Sequence, residues 1–390
     1  MTGTDLLVDE LASTVLPEGC GWRRDPLLKP EAHGPDHDAR YDFDTLFYGA
    51  AYRPDRKALV LVGPPPLNLK PLMRAGRYLA DGTPLRLRRI KVYRRHCEVW
   101  LTAGEAPAEL RFAHDGLDLT VPILRPLPGF AGRRCLVTLS KDNDLDWVRD
   151  WAGHCARHQG VEALLFLDNA STKVDPKETA AVLAEIPGLA VAVISVPARF
   201  GPVGIRSPAS RALFLQTGML NICRHAWLRE ARSVMHCDID ELPVSDGPTL
   251  FEAAEKSRLG YATARCLWRL AGDLGGHKPR HGDHVLRFDP GTTTKEKWVV
   301  CPRGPLGDTV WATHGVAGYL FNPLSMARGS RFYHCDSVTT HWKRKGGTVP
   351  EGVLVEDDRT RKDYRRLGLV AGRPVDSDTA SEAMMQPVNR

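Results

Sequence analysis

From residue 135 onward the chain alternates short apolar strand patterns with amphipathic helix patterns, and no other feature constrains its fold as strongly. "CLVTLS" (135–140) is a strand run, and Val148, Trp151, Ala152 and Cys155 then fall at i, i+3, i+4 and i+7, the stripe of an amphipathic helix. "ALLFLDNAST" (163–172) predicts a second buried strand ending in polar residues, "PKETAAVLAEI" a helix with Pro176 in its first turn, and "LAVAVISVP" a third strand. A longer helix is expected from Ser207-Pro208 to about Leu228, followed by "SVMHC" (233–237) as a fourth strand. This βαβαβ order predicts an α/β fold with a mainly parallel sheet covered by helices on both faces. Ligands in such folds bind beyond the carboxyl ends of the strands, where "DNAST" and "DIDE" lie.

At 390 residues and 43% hydrophobic, the chain exceeds the usual size of one domain, so two are expected. Residues 1–40, rich in Pro, Gly, His and charge, predict an extended or partly ordered arm. Between 41 and 125, apolar runs such as "KALVLVG", "CEVWLTA" and "LDLTVPI" separated by Gly, Pro and Asp-Gly turns predict a smaller β-rich domain. The Pro- and Gly-punctuated stretch 126–134 then predicts a linker, 135–350 the α/β catalytic domain, and 351–390 a charged tail.

No run of eighteen apolar residues occurs and the first residues are acidic, which together predict a soluble, cytoplasmic protein. Nine cysteines, an odd number without any C-x-x-C pair, predict reduced thiols. The net charge of +6 suits anionic ligands but lacks a binding motif for nucleic acid. In "LRLRRIKVYRR" (85–95) six of eleven residues are basic, and the alternation slips at Arg89 as in a strand with a bulge. Two readings stay open for it: a solvated strand face, or a contact face for an anionic surface such as a membrane.

In "VMHCDIDELPV" (234–244) an apolar strand runs straight into Asp238, Asp240 and Glu241. Three neighbouring carboxylates at the end of a buried strand repel one another, and their desolvation is costly unless a cation or hydrogen bonds offset the charge. In an extended segment Asp238 and Asp240 share a side while Ile239 turns to the core. Oxygen ligands in this pattern suit Mg²⁺ or Mn²⁺, which shares its shell with substrate phosphates. A solvated acidic turn is the alternative.

The ordered set "SKDNDLDWVRDWAGHCARHQGVEALLFLDNAST" and "VMHCDIDELPV" resembles the GT-A glycosyltransferases, particularly bacterial enzymes of the family 2 and family 92 type, over roughly 135–345. Lys141 matches the lysine of that family's K-N-E, with Asp142 and Asn143 replacing the other two positions. Asp168, Asn169, Ser171 and Thr172 match its strand-end motif, with Lys173 in place of the final aspartate, and Asp238, Asp240 and Glu241 match its metal motif in full. Trp268 and Gly272, Arg287-Phe288, "KEKWVVCP" with His314, and "HCDSVTTHWKRK" with His341 resemble its later segments.

The resemblance implies a GT-A, nucleotide-diphospho-sugar transferase fold and a metal-dependent, inverting transfer of a hexosyl or related sugar. The donor would be a nucleotide sugar, a UDP-sugar foremost, and the acceptor a glycan or other hydroxyl. Asp238, Asp240 and His314 would hold Mn²⁺ or Mg²⁺. Ser140, Lys141, Asp168, Asp238, Lys295, Lys297 and Lys343 would bind the nucleotide sugar, with Arg344 as a further cation. For the general base, Glu241 and Asp273 are the candidates, against a supporting role at the metal for the first and loop solvation for the second. Gln216, on a helical face with Leu213, Leu220, Cys223 and Trp227, is expected to tether the metal loop from behind. Two other functions remain open. A nucleotidyltransferase acting on sugar phosphates also uses D-x-D but normally opens with a Gly-rich phosphate loop, and "CLVTLSKDND" has no glycine. A non-catalytic carbohydrate-binding protein would have no need of intact carboxylates.

Overall fold

The computed structural model describes residues 6–34, 36–202, 212–340 and 352–369. The expected start of the helix at Ser207-Pro208, and the candidates His341, Lys343 and Arg344, lie outside the described residues.

The elements that position the site are, in chain order, strands β1 (Leu6–Glu10), β2 (Gly49–Arg53), β3 (Ala58–Gly63), β4 (Leu87–Val92), β5 (Cys97–Thr102), β6 (Ile123–Leu124) and β7 (Arg134–Ser140). There follow α1 (Leu145–Gln159), β8 (Ala163–Asp168), α2 (Pro176–Ala184), β9 (Ala190–Ser195), α3 (Phe214–His225), β10 (Ser233–His236) and β11 (Glu241–Ser245). The last are α4 (Leu250–Lys256), β12 (Tyr261–Arg269), β13 (Thr293–Val300), β14 (Met326–Cys335) and α5 (Asp358–Leu367).

The fold is α/β, built on a nine-stranded sheet in the order β1-β9-β8-β7-β10-β13-β12-β14-β11. It is mainly parallel: β1, β9, β8, β7 and β10 run in one direction and β12 pairs β14 parallel, while the other three pairings are antiparallel. Period-two alternation sorts each central strand between two cores. Leu136, Leu164, Phe166, Val191 and Met235 face the core under α1, α2, α4 and α5, whereas Val137, Leu165, Ala192 and Val234 face the one under α3. The predicted helix starts have local causes. Asp175 and Glu178 make a capping box around Pro176, and Asp144 caps α1, which ends on Gly160 in the left-handed region at φ 73°.

The stretch 41–125 contributes a five-stranded sheet, β6-β2-β3-β5-β4, whose inner face closes the far side of α3. Tyr48, Ala51, Val60, Val62 and Trp100 share one continuous core with Leu215, Met219 and Ile222. All of α3 is therefore buried, not one face only, as befits a helix packed between two sheets. The contact is close: a Cβ on Gly218 would stand 2.4 Å from the Tyr48 ring. A charged seam runs along the same junction. Glu98 pairs with Arg224 and lies 3.2 Å from His225 Nε2, while Arg53 bonds His225 Nδ1 at 2.9 Å and Asp308 at 2.8 Å. Burial works against its charge, yet Arg224 and the histidines hold Glu98 far below the usual carboxylate range.

Three segments differ from expectation. Within the expected arm, residues 6–10 form the edge strand of the main sheet, pairing β9 in parallel. In the expected linker, Leu127 and Phe130 are buried in the shared core. Within the expected charged tail, α5 docks because Tyr364 and Leu367 are apolar on one side and Asp363 meets the buried Arg331. The bulge expected in the basic stretch is present: β4 pairs β5 with a register shift between Leu87 and Arg89. Arg88 bonds the carbonyls of Arg56 and Lys57, while Arg89 leans over Trp100, so part of this charge is engaged within the molecule. All nine cysteines are free thiols. Among the described residues, no helix is long and apolar enough to cross a membrane.

Candidate active site

Strand β10 is fully buried, and where it ends the chain makes a turn instead of continuing extended. The Glu241 N–H donates to the Asp238 carbonyl at 3.1 Å, and the Glu241 carboxylate accepts the Asp238 N–H at 2.8 Å, so the loop is closed from both ends. Ile239 is 3% exposed in the helix-covered core, and its carbonyl accepts from His281 Nε2 at 2.8 Å. An extended segment was expected to put Asp238 and Asp240 on one side; the turn instead gathers Asp238, Asp240 and Glu241, with ligand atoms within 4.8 Å of one another.

Lys297, on β13 and completely buried, lies under this loop with Nζ 3.0 Å from Asp238 Oδ2 and 2.7 Å from Glu241 Oε2. A bulge sits beside it: Ala264 faces Lys297 but Cys266 faces Thr294, so β13 carries one extra residue there. Burial alone would pull the ammonium pKa down, but the two carboxylates raise it well above the ordinary value. Burial likewise pushes Glu241 up, and Lys297 with His334 overturns that, leaving it at about 2. Glu241 is thus a carboxylate committed to holding charge, an environment that opposes proton abstraction. Gln216 reaches Asp238 Oδ1 from α3, its Nε2 at 3.4 Å.

Two histidines flank the loop differently. His334 stands 3.8 Å from Asp240 Oδ2 and 3.5 Å from Glu241 Oε1, and although burial lowers its pKa, Asp240 above all raises it well past the usual range. His314 lies outside the carboxylate cluster but within its field. Burial and then Lys297 hold it neutral, at about 3, and its Nδ1 has no hydrogen-bond partner. A neutral imidazole is the form that ligates metal. His334 and Cys266 were missed as neighbours of the carboxylates; for His334 the signal was "FYHC", the end of a strand run, and Cys266 left none.

The ends of β7 and β8 form the other wall. Ser140 pairs Asp168, which pairs Ser195, in one row across the strand ends. Ser140 Oγ accepts from Asn143 at 2.8 Å, and Lys141 Nζ donates to the carbonyls of Asn169 and Ala170 at 3.0 and 2.7 Å. Asp142 accepts the N–H groups of Thr172 and Lys173 at 2.6 and 2.8 Å, clasping the two strand-end loops together. Asp168 is buried, which raises its pKa, and its carboxylate takes both the N–H and the hydroxyl of Ser171. Lys295 is exposed on β13. Asp273 is exposed too, accepting the Gly275 N–H at 2.8 Å within its own loop.

The donor set fits a hard divalent ion: two half-buried carboxylates, Asp238 and Asp240, close together at the carboxyl edge of a parallel sheet, with neutral His314 nearby. Buried Lys297 already offsets part of the charge, so the loop is held in place before any ion arrives.

No protein-family model matches the chain, and no curated protein matches it. Among solved structures it is similar to a crystal structure of GalNAc-T7 with UDP, GalNAc and Mn²⁺, at 10% identity and a TM-score of 0.34, covering 57% of this chain and 46% of that one. It is also similar to an apo structure of the bifunctional glycosyltransferase WbbM, at 12% identity and a TM-score of 0.23, covering 59% of this chain and 36% of that one. The chain therefore spans less than half the length of either.

Proposed function

We propose that this chain is a glycosyltransferase that moves a sugar from a nucleotide-diphosphate donor, a UDP-sugar foremost, to a hydroxyl acceptor, with inversion. The observation that carries the reading is the Asp238–Asp240 turn, locked by buried Lys297 at the end of β10, the strand beside β7, whose end carries the Ser140–Asp168 row. Asp238, Asp240 and His314 are the residues that would hold Mn²⁺ or Mg²⁺, which neutralises charge growing on a leaving diphosphate. Lys297 keeps the two outer carboxylates, Asp238 and Glu241, from springing apart. Lys141 and Asp142 fix the facing loops, so that a nucleotide lying across the strand ends meets a preformed wall.

The test is a panel of nucleotide sugars offered to metal-stripped full-length protein, with and without Mn²⁺, following both melting temperature and nucleoside diphosphate release. The reading expects one donor to raise the melting temperature and to be hydrolysed slowly only with the ion. If no donor did either, the reading would be lost.

A further inference from the structure

Three neighbouring strands each present one metal-ligating side chain at a spot next to the Asp238–Asp240 pair. Glu241 on β11 and His334 on β14 are direct cross-strand partners. Cys266 on β12 lies two residues before Trp268, the partner of His334 on the other side. Side chains two apart share a face, and Trp268 confirms the sense by meeting the His334 ring edge-on at 4.2 Å.

Ligand atoms of the three lie within 4.8 Å of one another. His334 Nδ1 is 3.5 Å and Cys266 Sγ 3.9 Å from the same oxygen, Glu241 Oε1. A tetrahedral zinc ion, with bonds of roughly 2.0–2.1 Å to nitrogen and oxygen and about 2.3 Å to sulfur, sets nitrogen and oxygen about 3.3 Å apart and sulfur and oxygen about 3.5 Å apart. A contraction of a few tenths of an ångström closes the shell. The other oxygen, Oε2, is already taken by Lys297 and the Asp238 N–H, which leaves Oε1 as the end that can turn to a metal.

We propose that Glu241, Cys266 and His334 form a zinc site, chemically distinct from the all-carboxylate pair beside it. Thiolate and imidazole select borderline-soft ions, whereas carboxylate oxygens suit Mg²⁺ and Mn²⁺. On binding, the Cys266 S–H bond breaks, its proton passes to water and the freed electron pair forms the S–Zn bond. His334 binds as the neutral ring through Nδ1, its Nδ1 proton also passing to water, and its Nε2–H is left facing Asp240, 3.8 Å away, as an orienting carboxylate. The fourth position opens on the side where His334 and Asp240 are 19% and 20% exposed. None of this depends on the glycosyl-transfer reading.

The test uses metal-stripped full-length protein titrated with Co²⁺ as a coloured stand-in for zinc, then with Zn²⁺ in competition. The expected result is one equivalent bound in a tetrahedral shell with a single thiolate-to-cobalt charge-transfer band. In Cys266→Ala that band disappears and Zn²⁺ binding weakens at least about tenfold. X-ray absorption at the zinc edge of the wild-type complex reads the same point without a variant: one sulfur at about 2.3 Å among nitrogen and oxygen ligands. A band that persists in Cys266→Ala, or a wild-type shell with no sulfur or with two, overturns the site.

Discussion

Two buried charge clusters can be set side by side: the Glu98 seam between the five-stranded sheet and α3, and the Asp238 loop at the edge of the main sheet. Both put carboxylates against cations away from water. At the seam Glu98, 1% exposed, meets Arg224, while the outer acids Asp55 and Asp308, 40% and 35% exposed, meet Arg53. At the loop, among the described residues, Asp238, Asp240 and Glu241 meet Lys297 and His334, and the two aspartates are about one-fifth exposed at the strand ends. Glu98 is sealed at the centre of the seam, away from the strand ends, whereas the loop aspartates open outward at the carboxyl edge. Buried charge by itself therefore does not mark a site; position at the carboxyl edge and access from outside do.

Breaking each cluster at its cation tests this contrast with the largest expected effect. Arg224→Met strands Glu98 in the core and should cost about 3–5 kcal/mol in guanidinium unfolding, with or without Mn²⁺. Lys297→Met also removes a buried cation, but one of its two carboxylates, Asp238, is partly exposed at the strand end where an ion can reach it, so Mn²⁺ should restore part of the loss. An identical response of the two variants to Mn²⁺ would erase the distinction.

Next in size is the effect on catalysis. Asp240→Asn should reduce Mn²⁺-dependent donor hydrolysis at least about 100-fold. Its unfolding midpoint should stay close to wild type, because Asp240 lies on a partly exposed turn. Glu98→Gln at the seam should do the reverse, losing stability far more than turnover per folded molecule. Near-native hydrolysis by Asp240→Asn would remove the carboxylate pair from the reaction.

The strands and helices of 135–245 were legible because period two and period 3.6 each leave a mark on the sequence: Val148, Trp151, Ala152 and Cys155 are all buried as their spacing predicts. The Asp238 loop was legible for the same reason, a strand whose apolar run stops on acids. What surrounds it was less so. Lys297 could be named as a cation but not as a buried one, since its burial depends on β13 returning beside β10, a pairing 59 residues away from Asp238. Long-range pairing also hid His334 and Cys266. The packing of 41–125 onto α3 left no local signal either, because Tyr48, Val60 and Val62 read the same whether their partner is a neighbouring strand or a distant helix. That shared core changes what truncation means. A fragment starting near Gly129 would lack β1 and would uncover α3, so loss of its activity would report unfolding before it reported acceptor choice.

A smaller effect should appear in mild acid and in both regions together. His225 at the seam and His236 behind the loop are kept neutral by burial first, at about 3 and about 4. Unfolded histidine titrates near 6.5, so each contributes stability that is fully present above about pH 6.5 and is lost as pH falls towards 4, at up to roughly 1.4 kcal/mol per pH unit. Melting temperature should fall between about pH 7 and 5, while His334, whose pKa is raised, acts in the opposite sense and loses its contribution as pH rises above about 6.5. The carboxylates act later: Glu241 and Asp308, both at about 2, lose their contribution only below about pH 4. A flat melting profile from pH 7 to 5 would mean that these rings are hydrated in solution.

The smallest effect should come from Asp273, the exposed alternative to the loop carboxylates. Its carboxylate accepts one backbone N–H, from Gly275, in a loop that turns through two glycines at φ 55° and 82°. Asparagine keeps that acceptor and tolerates the same turn, so Asp273→Asn should change stability by no more than about 0.5 kcal/mol. The hydrogen bond its carboxylate makes stays within its own loop. Donor hydrolysis and acceptor transfer by Asp273→Asn should therefore each stay within about twofold of wild type, as expected when no transition-state contact is lost. Transfer and hydrolysis separate the possibilities, because a base acting on the acceptor hydroxyl affects the first and spares the second. A loss of transfer above about tenfold with hydrolysis intact would make the 270–276 loop part of the acceptor site, and the contrast between seam and strand edge would have to admit a third region.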